Sequence, residues 1–191
     1  MREEKNAGTT SDIDLLIEGA VNGSADDFGR LYDLHVERVY RHIYYRVGNI
    51  ADAEDLTQQV FLRAWQAIGR YKKTASPFLA WLLRIGHNLV IDFYRSRKDT
   101  AFLDNNIPLP DEKTPGPAQL AERKYDQEML RKVIVKLPGE QQQVILMSFI
   151  EGFSHSEIAA AMGKKEGNIR VILHRALKKM RRIIDTESSQ E

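Results

Sequence analysis

Between residues 99 and 117 the chain has no room for a regular element: Pro108, Pro110, Pro115 and Pro117 stand beside Gly116 among Asp104, Asn105, Asn106, Asp111 and Glu112. Proline fixes φ and removes an amide donor, so neither a helix nor a sheet ladder survives that density. Structureless segments of this length are rare inside one compact domain. The chain is therefore expected to fold as two units, residues 11–98 and 122–185, joined by an acidic, proline-rich, flexible linker over 99–121. The polar ends, 1–10 and 186–191, are expected to be disordered. On both sides of the linker apolar residues recur at helical spacing with no strand alternation and no repeat, so the fold class is all-α, two small helical domains. A length of 191 residues accommodates both.

In the first unit, Ile13, Leu15, Leu16 and Ile17 begin a helical pattern that Gly19, Gly23 and Ser24 punctuate. Phe28, Leu31, Tyr32, Val36, Val39, Tyr40, Ile43 and Tyr44 then carry a long helix to Gly48. A third helix covers 52–65 and a fourth runs from about 78 to 97, with a loop around 72–77 between them. Four helices make a bundle.

The third helix has two faces that are both committed. At about 100° per residue, Ala53, Leu56, Val60, Phe61, Ala64, Ala67 and Ile68 sweep one apolar arc. Asp52, Asp55, Gln58, Gln59, Arg63 and Gln66 fall opposite, with Leu62 in their midst. A solvated helix has no use for that leucine and a protein partner does, so Asp52, Asp55, Gln58, Gln59, Leu62 and Gln66 form a candidate docking face. A lone surface leucine is the plainer reading.

Along the fourth helix Leu82, Ile85, Leu89 and Phe93 make the buried stripe, leaving Trp81, Arg84, Asn88, Asp92 and Arg95 on a neighbouring face. Arginine supplies phosphate contacts, asparagine reads a base edge and an aromatic stacks on an unpaired base, a combination suited to single-stranded or melting DNA. Lys72 and Lys73 in the preceding loop add positive charge. For Trp81 the competing reading is ordinary packing against the next helix.

In the second unit Leu137 and Pro138 end one helix and start another, which carries Val144, Ile145, Met147, Phe149 and Ile150 to a stop at Gly152. Ser154 and Glu157 have the capping-box spacing, in which each side chain satisfies the other's free backbone amide. A short helix through Ile158, Ala159 and Met162 stops at Gly163, and a longer one starts near Glu166. This is a helix-turn-helix. On the last helix Ile169, Ile172, Leu173, Ala176 and Met180 point inward, while Asn168, Arg170, Val171, His174, Arg175 and Lys178 are placed to meet a DNA major groove. Arg170 and Arg175 suit base edges or phosphates, Val171 a thymine methyl, and Lys178, Lys179, Arg181 and Arg182 the backbone.

The net charge of +1 hides a segregation. Residues 28–98 carry twelve basic and six acidic side chains and 122–191 thirteen and ten, whereas 1–27 carry two and seven and 99–121 one and four. Two basic blocks between acidic connections suit two polyanion-binding modules. With no cysteine, a disulfide framework and thiolate metal sites are excluded. No apolar run approaches the roughly 18 residues of a membrane span and no signal-peptide core follows Met1, so a cytoplasmic location is expected. Asp52, Glu54 and Asp55 do not share one face and the histidines are scattered apart from His35 and His42, so neither a metal, a cofactor nor an enzymatic activity is expected.

The motifs occur together in one order, and in that order they resemble the sigma-70 family of bacterial RNA polymerase sigma factors. Residues 52–65 resemble sigma region 2.2; Ser76-Pro77-Phe78, Trp81 to Ile85 and Asn88 resemble regions 2.3 and 2.4. Gly167-Asn168-Ile169-Arg170-Val171-Ile172-Leu173-His174-Arg175-Ala176 is similar to the region 4 run Gly-x-x-Lys-Ser-Arg-Leu-His-Arg-Ala, departing from it at Val171 and Ile172. The absence of a domain between the two blocks points to the extracytoplasmic function (ECF) group. The resemblance implies that the third helix docks on the clamp helices of the polymerase beta-prime subunit and that region 4 meets the flap of the beta subunit. It implies minus-10 recognition through Lys72, Lys73, Trp81, Arg84, Asn88 and Arg95, and capture of a base flipped out during melting, without assigning the residues of that pocket. Minus-35 recognition then falls to the last helix, with core RNA polymerase, promoter DNA and an anti-sigma factor as partners in a stress or envelope response. The alternative is a stand-alone helix-turn-helix regulator acting as a homodimer.

Overall fold

The computed structural model describes residues 3–72, 76–101 and 128–188, and among these every regular element is helical. In chain order they are α1 (Glu3–Val21), α2 (Ala25–Val47), α3 (Ile50–Ala67) with a 3-10 turn (Ile68–Arg70), α4 (Phe78–Ala101), α5 (128–135), α6 (Gly139–Ile145), α7 (His155–Met162) and α8 (Glu166–Ser188).

Local chemistry sets several of the boundaries. The Ser24 hydroxyl accepts from the Asp27 amide at 3.2 Å to open α2, and the Asn49 side chain accepts from the Asp52 amide at 3.0 Å to open α3. Gly48 ends α2 with φ 72°, a left-handed conformation that glycine adopts without a steric penalty. The spacing of Ser154 and Glu157 yields a complete capping box: the Ser154 amide donates to the Glu157 carboxylate at 2.8 Å, and the Glu157 amide to the Ser154 hydroxyl at 3.3 Å. Gly163 closes α7 at φ 64°.

Helices α1 to α4 form the bundle anticipated from the periodicity, with α1 on α2, and α2, α3 and α4 packed on one another. Leu31, Val39 and Ile43 of α2, Ala53, Val60 and Ala64 of α3 and Leu82 of α4 are wholly buried between them. The second unit packs α8 across α6 and α7.

Four features depart from the sequence expectation. The N-terminal segment 1–10, expected to be disordered, contributes helical turns, because α1 begins at Glu3; once Ile13, Leu16 and Ile17 dock on the bundle, upstream residues extend an existing helix at no nucleation cost. Helices α4 and α8 also overrun the expected boundaries at 98 and 185, reaching Ala101 and Ser188. Most of the expected linker, from 102, lies outside the described residues. Helix α6 continues into a π-helical turn, Leu146–Ile150, closed by the Glu151 amide donating to the Leu146 carbonyl at 3.0 Å.

The fourth departure is the largest. The two units pack directly together, α7 against α4, and Val144, Met147, Ile158 and Ile169 share one continuous apolar core with the bundle. Helix α4 is buried over more than the expected stripe: Leu79, Leu83 and Val90 are shielded as fully as Leu82 and Leu89. Tyr45 of α2 joins Ile134, Leu137, Ile145, Leu146 and Ala176 in the second core cluster. Between the units runs a polar seam centred on Arg46, His42, His87 and Gln143. Burial pushes the His42 imidazole down to about 3 and the His87 imidazole to about 4, with Arg46 adding to both.

Candidate functional site

The outward face of α3 is open to solvent. Leu62 is 58% exposed, and Asp55, Gln58, Gln59 and Gln66 around it are exposed as well. Asp52 behaves differently: its carboxylate is paired with the Arg97 guanidinium of α4 at 3.2 Å, tying the start of α3 to the end of α4. Arg97 also lies over the Phe93 ring, 4.3 Å from its centroid. Asp52 is thus a fastener at the margin of the face, a contact that only the fold reveals.

Leu62 has company that the periodicity conceals. Trp65, three residues on, is 38% exposed and packs on Phe28 of α2, ring centroids 5.0 Å apart. Tyr32 meets Phe61 edge-on at 4.6 Å. Ala25, Phe28, Gly29, Tyr32 and Trp65 line a shallow apolar groove of about 240 Å³ between α2 and α3. Phe28 and Tyr32 read in the sequence as core residues of a long helix, and their i, i+4 spacing carries no sign of which side reaches solvent.

On α4, Arg84, Asn88, Asp92 and Arg95 are exposed together as expected. Trp81 is not a free stacking platform: it is half-buried in a cluster with Tyr71 (centroids 5.0 Å) and Phe78 (5.4 Å), themselves 5.4 Å apart. The packing reading of Trp81 holds for most of its surface, and the cluster anchors the base of the loop onto α4. Lys72 is exposed at the start of that loop, and Lys73 lies outside the described residues. Arg84, Asn88 and Arg95 extend along α4 from this aromatic cluster, an arrangement suited to a strand of nucleic acid.

On α8 the split into two faces holds. Ile169 and Ala176 are buried, with Ile172, Leu173 and Met180 partly so, while Asn168, Arg170, Val171, His174, Arg175 and Lys178 are exposed. The Arg170 guanidinium is held along the helix by Glu166, one turn earlier. Arg175, Lys178, Lys179 and Arg182 line an open groove with Lys136 from the turn between α5 and α6. Lys136 lies 39 residues upstream of Arg175 in the sequence, and the fold alone brings it to this groove. Such a cation row along one helix has the charge that suits phosphate groups.

Among the described residues, no three His, Asp or Glu side chains converge as a metal site, and no helix is long and apolar enough to cross a membrane.

Residues 31–100 match the sigma-70 region 2 family, and residues 127–180 match sigma-70, region 4. The chain is 37% identical over 174 residues to the ECF RNA polymerase sigma factor BldN of Streptomyces coelicolor, an alignment spanning 91% of this chain and 66% of that protein. It is 30% identical over 167 residues to the ECF RNA polymerase sigma factor SigL of Mycobacterium tuberculosis, spanning 86% of this chain and 93% of that one. The fold is similar to that of the sigma factor RpoE in its co-crystal with the anti-sigma factor NepR from Bartonella quintana. The TM-score there is 0.67 at 21% identity, over 84% of this chain and 98% of that one.

Proposed function

Because this chain belongs to the ECF group of the sigma-70 family of RNA polymerase sigma factors, we propose that it binds core RNA polymerase in the cytoplasm and directs promoter recognition, melting and transcription initiation. The division of labour follows the units. Residues 11–98 dock on the polymerase clamp helices and read the minus-10 element. Residues 122–185 meet the flap and read the minus-35 element, and 99–121 connect the two. The observation that carries this is the coexistence of two exposed basic helix faces, on α4 and α8, with an exposed apolar-centred face on α3.

The roles divide by chemistry. Leu62 and Trp65 desolvate against polymerase inside a rim of Asp55, Gln58, Gln59 and Gln66, the arrangement of an apolar hot spot with a polar surround. Lys72, Lys73, Arg84 and Arg95 hold the melting strand through its phosphates, and Asn88 reads a base edge. Trp81 supports the loop that bounds a flipped base, whose extrusion costs a few kcal/mol. On α8, Arg175 and Lys178 bind phosphate, and Asn168, Arg170, Val171 and His174 face the bases; Arg170 exchanges its Glu166 partner for DNA. An anti-sigma factor is the expected inhibitor, since the chain's fold is that of a sigma factor seen with one.

Transcription with purified core polymerase over a random promoter library tests this. Start sites that appear only when the chain is added support it; tight, specific duplex binding by the chain alone, with no effect on polymerase, would favour the homodimeric regulator.

A further inference from the structure

Among the described residues of α4, two large apolar side chains are exposed, Ile91 at 38% and Tyr94 at 41%. Tyr94 is held in place, its hydroxyl donating to the Arg46 carbonyl at 2.7 Å near the end of α2. Ile91 carries no polar atom that could anchor it, and its place on the helix is informative. At about 100° per residue, Arg84, Asn88, Ile91 and Arg95 fall within about 60° of one another, a single stripe running about 16 Å along the axis. All four are exposed. The inward residues Leu82, Leu89 and Val90 lie on the far side of the helix, at most 2% exposed.

Local propensity does not explain an isoleucine at this position. On a solvated helix a β-branched residue is a poorer helix former than alanine, leucine or lysine, and it leaves apolar surface in water. A single surface isoleucine is common on folded proteins; this one is bracketed by two guanidinium groups and a carboxamide. Ile91 lies seven residues after Arg84 and four before Arg95, so a polyanion held by both arginines passes over it. An isoleucine side chain makes no hydrogen bond and contributes to recognition only through apolar contact. On the edges of the DNA bases, the one apolar substituent is the 5-methyl group of thymine. A run of about 16 Å covers about five base steps at 3.4 Å each, so that methyl belongs to the same short element that Asn88 faces.

We propose that Ile91 is a specificity-determining residue for the promoter element nearest the start site: it packs on the 5-methyl group of a thymine there while Arg84 and Arg95 hold the flanking phosphates. The proposal rests on the promoter-binding reading above. It gives α4 the apolar readout that Val171, also exposed, is placed to give on α8.

Thymine and 2′-deoxyuridine share their Watson–Crick edge and differ only in that methyl, so exchanging them one position at a time isolates the contact. Core polymerase reconstituted with the full-length chain is run on a promoter recovered from the random library, with 2′-deoxyuridine replacing each thymine of the downstream element in turn. With the unaltered chain, one position should lose about fourfold in transcription at subsaturating protein, the equivalent of about 0.8 kcal/mol at 1.4 kcal/mol per tenfold. With Ile91→Ala the thymine-to-deoxyuridine ratio at that position should fall to about one, whereas Arg84→Ala should weaken both templates alike. Each ratio compares two templates read by the same preparation, so any loss of folded chain cancels. A promoter with no methyl-sensitive position, or the same sensitivity in Ile91→Ala, overturns the role of Ile91. Weaker binding of core polymerase by Ile91→Ala with the ratio unchanged assigns the side chain to a protein contact and overturns it as well. If the unaltered chain yields no promoter at all, the promoter-binding reading falls and takes this role with it; a methyl-insensitive promoter refutes Ile91 alone.

Discussion

Leu62→Glu should separate docking from folding. Leu62 is 58% exposed on α3, three residues before Trp65, which lines the shallow groove between α2 and α3. Full burial of a leucine contributes about 1.5–3 kcal/mol, so covering its exposed part contributes about 1–2 kcal/mol on docking. Loss of that alone weakens binding by roughly 5- to 30-fold at 1.4 kcal/mol per decade. A glutamate adds the cost of burying an unpaired carboxylate, at least another 1–2 kcal/mol, bringing the expected loss to about 100-fold. The fold should be unaffected, because the side chain touches no core residue that relies on it and glutamate matches leucine closely in helix propensity. Titration of labelled core polymerase by fluorescence anisotropy, with circular dichroism as the control for helix content, measures both quantities. Unaltered affinity would refute the docking role of α3; lost helicity would refute the claim that Leu62 lies outside the core.

Replacing Arg170 and Arg175 by alanine should lower transcription from promoters with a strong upstream element and reduce the salt slope of promoter binding by about 0.9, for the one phosphate contact assigned to Arg175; an unchanged slope means Arg175 contacts no phosphate. Stability should fall on acidification. The unfolded chain's histidines take up protons near 6.5, whereas the folded values of His35, His42 and His87 are about 4, 3 and 4. Between those limits the unfolded state holds more protons, so stability present above pH 6.5 is lost as the pH drops. Urea denaturation should give about 2 kcal/mol less per histidine at pH 5 than at pH 7, at 1.36 kcal/mol per unit, and equal stability at the two would contradict their burial. Ser154→Ala removes half of the capping box and should cost about 1 kcal/mol, lowering the melting temperature of the chain by roughly 4 °C; calorimetry showing no shift would mean Glu157 alone caps α7.

What the sequence made legible was local. The two faces of α3, the capping box at Ser154 and the basic face of α8 all follow from residues within one or two turns, and the structure displays each of them. What it hid depends on partners far away in the chain. Leu83 and Val90 look like spare apolar positions on α4, yet both are buried in the folded chain. Gln143 reads as one of three ordinary surface glutamines, and only its bonds to His42 and to the Leu83 carbonyl, 101 and 60 residues away, disclose a buried role. Arg46 sits at the end of an amphipathic helix where a solvated arginine is the normal expectation, yet it is buried in the seam. Asp52 and Trp81 read from the sequence as surface groups of α3 and α4, but Arg97 pairs with Asp52, and Tyr71 and Phe78 pack on Trp81.

The central claim is that one chain reads two separated promoter elements with two different helices. Polymerase reconstituted with the chain, run over a random promoter library and sequenced from its transcripts, tests it when Arg84→Ala with Asn88→Ala is compared with Arg170→Ala with Arg175→Ala. The first pair should erase base preference only in the element nearest the start site, and the second only in the upstream element about 25 base pairs away. Both pairs altering the same element, or neither altering any, would contradict the account.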